Sequence, residues 1–249
     1  MALLEPAGRR VQLTEAGQRL AAHAGRMLEL DERARADLAR AEPTRVRIAV
    51  MPTAAQSLVP AALTLLRKRA PGLRLEIAEL APEEALFELA ARTFDLVVAE
   101  QYPGHSRALG TGIERTLLGV DPIRLALPLG DTATVLAELR DRAWILEPRG
   151  AAVRQWAVQQ CRAAGFEPDV PYEATDLTAH VRLVAAGHAV AMLPDLVWSG
   201  DRACVQLRDL PGSPVREIFA ATRASSRPDT AIAAVRDALD DALAAHVVR

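Results

Sequence analysis

The first long hydrophobic pattern lies in residues 14–42, where apolar side chains recur at alternating spacings of four and three residues and no proline interrupts. Thr14 is a suitable N-cap, Glu15 places an acid in the first turn, and Pro43 supplies a stop. The seam holds Leu20, Ala24, Met27, Ala34, Leu38 and Ala41, with Asp31 at one position. We predict a helix of roughly 28 residues, about 42 Å long, that pairs along a short coiled-coil seam. The alternative is a solvated helix packed on its own domain.

From residue 44 the pattern changes to short apolar runs that alternate with helical stripes. Strands are predicted at 46–50, 73–77 and 95–99, and helices lie between them, the second opened by Pro82. The third strand is continuously apolar, as in a buried parallel sheet. This βαβαβ order indicates an α/β fold with right-handed crossovers.

The pattern then restarts. Strands are predicted at 113–118 and 123–127, on either side of Asp121-Pro122, and further strands at 144–146, 189–193, 205–207 and 218–222. Helices are predicted at 135–139, 152–164, 177–186 and 229–245. Gly165 and Gly187 are suited to end two of these helices. The whole of this region is therefore assigned to the α/β class.

The composition of the chain argues against several classes of protein. Hydrophobic residues make up 50% of the 249 residues and charged residues 25%, which excludes wholesale disorder. The net charge of −2 argues against a generally cationic nucleic-acid coat. Cys161 and Cys204 lack CxxC spacing, so we expect reduced thiols in a cytoplasmic protein. No apolar run is long enough to span a membrane, and residues 1–11 lack the apolar core of a secretory signal.

Motifs of enzymes are absent from the sequence. It contains no GxSxG, HExxH, GxGxxG or Walker loop. His105, His180 and His188 form no pair at i,i+4 spacing, and no carboxylate partner is fixed by sequence. We therefore expect no catalytic residue, no metal site and no cofactor.

Several segments resemble one family. The run LLEPAGRRVQLTEAG at residues 3–17 is similar to the wing and linker-helix entry of LysR-type transcriptional regulators. Residues 47–49, 58–60 and 71–72 resemble the opening of that family's effector domain, and FDLVV at 94–98 resembles one of its strands. AGFEP at 164–168 and VAAGHAVAMLP at 184–194 resemble two further motifs. The resemblance covers essentially the whole chain.

The resemblance implies a particular organisation. Residues 1–13 would be a remnant of the DNA-binding wing, and residues 14–43 the linker and dimerisation helix. A bilobed effector domain like that of periplasmic binding proteins would follow. Its first α/β subdomain would comprise 44–120 plus 219–249, and its second 121–218. In the family a helix-turn-helix precedes the wing. Because Met1 lies almost on the wing, the chain resembles the effector-sensing and oligomerisation part of a regulator without most of that motif.

The family also implies partners. We expect an unidentified small-molecule effector in the cleft between the subdomains, and a homodimer or homotetramer. DNA would be bound only by a full-length form or together with a full-length partner, and no membrane partner is expected. The alternative function is a solute-binding protein of the same bilobed fold. Both the missing secretion signal and the long N-terminal helix argue against it.

Candidate effector-binding residues lie where strands end and helices begin, since ligands of open α/β sheets bind there. They are Thr53, Ala54, Gln101, Arg149, Gly150, Ala151, Thr175 and Asp176. Each has a plainer interpretation. Thr53 and the pair Thr175-Asp176 are also suited to cap helices, Gln101 to a solvated loop, and Ala151 offers only backbone donors, whereas Arg149 could pair with an anion.

Two basic residues are candidates for DNA contact. Arg9 and Arg10 stand where a wing would touch phosphates. The alternative is an exposed basic turn. Two arginines give only a weak, salt-sensitive anchor, so we do not expect tight DNA binding from this chain alone.

Overall fold

A two-stranded hairpin and a long helix make up the first of two compact units, Met1–Pro43. Strands β1 (Leu4–Ala7) and β2 (Arg10–Leu13) pair antiparallel, and helix α1 (Glu15–Leu38) follows. The computed structural model describes residues 2–7, 10–38, 44–106, 109–198, 203–226 and 229–247. The predicted end of the helix near residue 42 therefore lies outside the described residues.

Thr14 caps α1, as predicted. Its hydroxyl oxygen accepts a hydrogen bond from the backbone N–H of Gly17 at 3.0 Å and donates to the carbonyl of Ala2 at 2.9 Å. Gly17 is needed there because a Cβ at this position would lie 2.1 Å from the carbonyl oxygen of Leu3. The hairpin and the first turn of the helix are thus in direct backbone contact.

The second unit, Thr44–Arg249, begins with three parallel strands. Strand β3 (Thr44–Val50) pairs with β4 (Leu73–Glu79) on one side and with β5 (Leu96–Gln101) on the other. Helices α2 (Pro52–Ser57) and α3 (Val59–Arg69) connect β3 to β4, and α4 (Pro82–Ala90) connects β4 to β5. The predicted βαβαβ order and its parallel strands are confirmed.

Two long strands extend this sheet. β6 (Ile113–Leu127) runs for 15 residues and pairs antiparallel with β11 (Val215–Arg223), which also pairs with β5. The far end of β6 pairs with β9 (Ala191–Pro194) and β10 (Gln206–Asp209). The prediction of two strands divided at Asp121-Pro122 is wrong. Asp121 is buried and paired across the ladder, and Ile123 resumes the backbone bonding by donating to the carbonyl of Pro214.

The remaining elements include a second, two-stranded sheet. β7 (Ala143–Leu146) pairs in parallel with β8 (Asp169–Glu173), and α5 (Ala152–Ala163) and α6 (Leu177–Ala185) accompany them. Short 3₁₀ helices lie at Leu136–Leu139, Asp195–Trp198 and Ala224–Ser226, and α7 (Thr230–Val247) ends the described chain. Gly165 and Gly187, at φ +90° and +81°, follow α5 and α6 as the sequence predicted.

Hydrophobic side chains gather in separate clusters. Val235, Leu239 and Leu243 of α7 pack with Ile48 and other side chains of β3, α3 and β5. Trp144 and Trp156 belong to a different cluster built on β6, β7 and α5. The C-terminal helix thus packs with the first strands, although the exact subdomain boundaries remain a prediction. No helix within the described ranges is long and apolar enough to cross a membrane. The α/β fold class is confirmed.

Candidate ligand-binding site

A cavity of about 320 Å³ opens where the carboxyl ends of several strands meet. The segments after β3, β4, β5 and β7 contribute to its wall, together with the start of α5 and β11. Such a position is where open α/β sheets bind ligands. Much of the lining is apolar: Met51, Pro52, Leu80, Ala81, Pro82, Pro148, Ala151, Ala152, Val153 and Leu177.

A buried ion pair lies at one side of this cavity. Arg216 and Asp121 are only 3% and 2% exposed. Arg216 Nε donates to Asp121 Oδ2 at 2.9 Å, and Arg216 Nη2 lies 2.8 Å from the same oxygen in an ion pair. Arg216 Nη2 also donates to Thr53 Oγ1 at 2.8 Å, while Asp121 Oδ1 accepts from the backbone N–H of Leu196 at 3.0 Å. Burial works against the charge of Arg216, but the carboxylates of Asp121 and Glu100 outweigh it and raise the guanidinium pKa. Arg216 is therefore a permanent cation.

Tyr102 lies against this pair. It is 5% exposed, its ring centroid is 5.7 Å from that of Trp156, and its hydroxyl contacts the guanidinium of Arg216. Burial raises the pKa of this phenol, although Arg216 opposes the shift. Tyr102 is therefore a neutral hydroxyl at the wall of the cavity.

Glu147 is a carboxylate of the lining with a perturbed pKa. Burial raises its pKa to about 7, and the nearby charge of Glu100 acts in the same direction, while Arg216 and Arg154 oppose it. Arg154 is held in place because it donates to the carbonyl of Glu147 at 2.9 Å and to Glu173 at 2.6 Å. Glu147 thus exchanges its proton near neutral pH.

The structure brings together three of the predicted effector-binding residues. Thr53, Ala151 and Thr175 line the cavity. Gln101 and Gly150 instead line a smaller cavity of about 200 Å³, which shares Glu83, Tyr102 and Ala152 with the first. Arg149 is exposed and faces a third cavity, of about 650 Å³, together with Gly150.

Other predicted residues have structural roles. Ala54 of α2 is buried in the hydrophobic cluster that also contains Ile48 and Leu239, and it lines none of these cavities. Asp176 caps α6, since its carboxylate accepts from the N–H of Thr178 at 2.8 Å. The interpretation of Thr53 as a helix cap is wrong, because Met51 holds that position and the Thr53 hydroxyl faces Arg216.

The basic residues of the hairpin cannot be placed. Arg9 lies outside the described residues, and only the backbone of Arg10, in β2, is described. Their contact with DNA remains a prediction. Among the described residues, no group of three His, Cys, Asp or Glu side chains is arranged to hold a metal ion. His180 is buried and bonds the carbonyl of Ala174 at 2.9 Å.

Sequence reasoning missed the ion pair, Tyr102 and Glu147. The sequence did not mark this pair, because Asp121 lies between the predicted strands 113–118 and 123–127, and Arg216 precedes the predicted strand 218–222. Their pairing could not be found from sequence, because they lie 95 positions apart.

Comparison with known proteins concerns the chain as a whole. Residues 39–244 match the family model described as the LysR substrate binding domain. The chain is 27% identical over 201 residues to the transcriptional dual regulator GltC of Bacillus subtilis, covering 79% of this chain and 67% of GltC. It is 32% identical over 205 residues to a probable hydrogen peroxide-inducible genes activator of Streptomyces viridosporus, covering 77% of this chain and 63% of that protein.

Among solved structures, full-length OxyR from Pseudomonas aeruginosa superposes with a TM-score of 0.70 at 22% identity, covering 95% of this chain and 79% of that one. At that level of identity the likeness concerns the fold. The family match spans most of the chain, and the relatives named are regulators of transcription rather than enzymes. The chain therefore belongs to the LysR family of transcriptional regulators.

Proposed function

We propose that residues 44–249 sense a small-molecule effector and that the effector binds in the cavity lined by Thr53, Ala151, Thr175 and Arg216. One observation carries this proposal: buried polar groups from distant parts of the chain converge on an open, mostly apolar cavity at strand ends. Ligand sites have this composition, with an apolar wall and a few placed polar groups.

A ligand here could alter the conformation of the domain. The cavity wall combines segments that follow β3 and β5 with segments that follow β7 and β8. β6 and β11 are the long strands that run between these two sets, and Arg216 lies on β11. A molecule that contacts both sets would favour the arrangement it fits best, because ligands shift conformational equilibria by their differential affinity.

The proposal includes an oligomer. Along α1, Leu20 and Met27 on the predicted seam are 51% and 74% exposed within this unit. Apolar side chains so exposed on a long helix are suited to pairing with a second copy. We therefore propose a homodimer or homotetramer that acts in the cytoplasm, and that DNA is contacted by the complete regulator.

A thiol-based peroxide response is not supported at Cys161. One relative is named a peroxide-inducible genes activator, and oxidation by peroxide requires a thiolate. Cys161 is buried beside Trp144 and Trp156, and burial raises the pKa of its thiol to about 12. Reversible binding of a small molecule is therefore the better proposal, and the relationship to a family of regulators makes the solute-binding alternative unnecessary.

The test is a ligand screen with a blocked cavity. Ala152 lines the cavity near the start of α5, whereas Ala163 is exposed near the end of the same helix. Small organic acids, amines, alcohols and amino acids would be screened by thermal shift. Ala152→Trp should abolish the shift given by a true effector, and Ala163→Trp should retain it. Equal shifts in both variants, or no shift from any compound class, would contradict the proposal.

A further inference from the structure

Two buried hydroxyl groups line the cavity and approach the same guanidinium. Thr53 lies in α2 and Tyr102 directly follows β5, and the two residues are 4% and 5% exposed. Thr53 Oγ1 accepts a hydrogen bond from Arg216 Nη2 at 2.8 Å, and the Tyr102 hydroxyl contacts the guanidinium of Arg216 as well. Because they share this partner, the two hydroxyls lie near each other, and one group of a ligand can reach both.

The protons of both hydroxyls are left to donate. A guanidinium has only donors, so each hydroxyl oxygen serves as an acceptor in its contact with Arg216. Within the described part of the chain, no protein acceptor takes the proton of Thr53 Oγ1 or of the Tyr102 hydroxyl. Buried polar groups are rarely left without a hydrogen-bond partner. The two O–H groups are therefore suited to an acceptor atom in the cavity that they line.

Arg216 positions these hydroxyls but is poorly placed to bind an anion. Its Nε donates to Asp121 Oδ2 at 2.9 Å, and its Nη2 lies 2.8 Å from the same oxygen. A carboxylate ligand that took over the guanidinium would leave Asp121, which is 2% exposed, buried without its counter-charge. Breaking a buried ion pair in this way is strongly unfavourable. The guanidinium is therefore engaged before any ligand enters.

We propose, resting on the function proposed above, that the effector is an uncharged molecule with an apolar body and an acceptor oxygen, such as the carbonyl group of a ketone, ester or amide. The acceptor oxygen would receive hydrogen bonds from Thr53 and Tyr102. The body would lie against the apolar lining, which includes Leu80, Pro148 and Val153, and burial of its surface would supply affinity.

The two O–H donors distinguish a carbonyl compound from other ligands. Water can accept these protons while the cavity is open, so a ligand that displaces the water must bring an acceptor in its place. A hydrocarbon would leave both donors without a partner, which is costly in a buried site. A protonated amine brings only donors to a point where the protein already presents donors, whereas a carbonyl oxygen has two lone pairs and can accept from both hydroxyls.

The experiment compares probes of the same shape by titration calorimetry. Benzylacetone carries the carbonyl group, and 2-methyl-4-phenyl-1-butene replaces its oxygen by a methylene group. The anion is 3-phenylpropionate and the cation is 4-phenyl-2-butylamine, and further ketones, esters and amides extend the panel. We expect the carbonyl compound of each set to bind best and its alkene counterpart to bind about tenfold more weakly, the loss that one or two buried hydrogen bonds produce.

Variants then test which groups hold the carbonyl oxygen. Tyr102→Phe keeps the ring beside Trp156, 5.7 Å between centroids, and should weaken the ketone about tenfold while binding of the alkene is unchanged. Thr53→Val should act in the same direction, and Thr53→Ser, which keeps a hydroxyl, should retain binding of the ketone. Tyr172→Phe and Thr64→Val remove hydroxyls that lie outside the cavity and should change neither probe.

The outcomes separate the two proposals. If ketone and alkene bind equally well, or if Tyr102→Phe and Thr53→Val weaken both alike, the acceptor proposal is overturned. If the carboxylate or the amine binds best and is blocked by Ala152→Trp, the acceptor proposal is also overturned, while the cavity remains the effector site. If no compound of any class binds, both proposals fail.

Discussion

Arg216 and Asp121 are cross-strand partners on β11 and β6, and their side chains form a buried ion pair with Nη2 2.8 Å from Oδ2. Each partner is also bonded to a further element: Arg216 donates to Thr53 of α2, and Asp121 accepts from the N–H of Leu196. The pair thus joins α2 and the 3₁₀ helix Asp195–Trp198 to the long strands beside the cavity. Its removal should affect both stability and binding.

Removing one partner of this pair should be strongly destabilising. Arg216→Met leaves Asp121 buried without a counter-charge, and we expect a loss of about 3–5 kcal/mol in the free energy of unfolding, measured in urea. Adding Asp121→Leu should recover more than half of that loss. The control is Glu217→Gln, which breaks the more exposed pair with Arg115 on the same two strands and should cost at most about 1 kcal/mol. Similar losses from both single variants would contradict the assigned role.

Thr53 and Thr175 should separate stability from binding. Thr53→Val leaves a buried N–H of Arg216 without its acceptor, so we expect a loss of about 1–3 kcal/mol in unfolding free energy together with weaker effector binding. Thr175 is exposed at the rim of the cavity, so Thr175→Val should weaken binding while the melting temperature stays nearly unchanged. Unaltered affinity in both variants would show that the effector binds elsewhere.

Glu147 should make the protein less stable as the pH rises. Because its pKa in the folded state is raised to about 7, the folded state holds a proton that the unfolded state has lost above pH about 4.5. Stability from this group is therefore lost between about pH 4.5 and 7. Glu147→Gln should be more stable than the wild type by about 1–3 kcal/mol at pH 8.5 and nearly equal to it at pH 4. Urea unfolding at both pH values tests this, and an equal effect at both would contradict it.

The two cysteines should react differently with a thiol reagent. Cys204 is exposed and Cys161 is buried with a raised pKa, so we expect one thiol to react rapidly in the native protein and the second only on unfolding. Cys204→Ser should abolish the rapid reaction, and Cys161→Ser should leave it unchanged. Mass spectrometry after peroxide treatment should find no oxidation at Cys161 in the folded protein. A sulfenic acid or disulfide at Cys161 would contradict this assignment.

The seam of α1 should carry the oligomer. Leu20→Asp combined with Met27→Asp places charges on the exposed apolar positions, and the molar mass by light scattering should fall to that of a smaller assembly. Gln18→Asp combined with Ala22→Asp adds the same charges to exposed positions away from the seam and should leave the mass unchanged. A wild-type monomer at tens of micromolar protein would refute the proposal outright.

Sequence periodicity was sufficient for most of the regular elements. The parallel strands β3, β4 and β5 and the helices between them have uniform patterns, so their positions could be predicted to within a few residues. β8 was missed because Pro171 and acidic residues interrupt its alternation. β6 was divided because Asp121-Pro122 has the composition of a turn, whereas long-range pairing decided its conformation.

The site was predictable only in part for the same reason. Thr53, Ala151 and Thr175 follow strands or precede helices, and that local rule places them at the cavity. Glu147 directly follows β7 and was overlooked, whereas Arg216 and Asp121 obey no local rule. Their environment depends on which strands lie side by side, and a single sequence does not contain that information in any periodic form.

The contact between Gly17 and the carbonyl of Leu3 has a mechanical consequence. A methyl group at Gly17 would overlap the backbone of Leu3, and the N–H of Thr14 donates to the carbonyl of Leu3. The hairpin and the helix can therefore rotate little against each other. A rotation of α1 about its own axis would therefore rotate the hairpin by the same angle. Gly17→Ala would push the hairpin away from the helix, and a rotation of α1 would then be transmitted to the hairpin less completely.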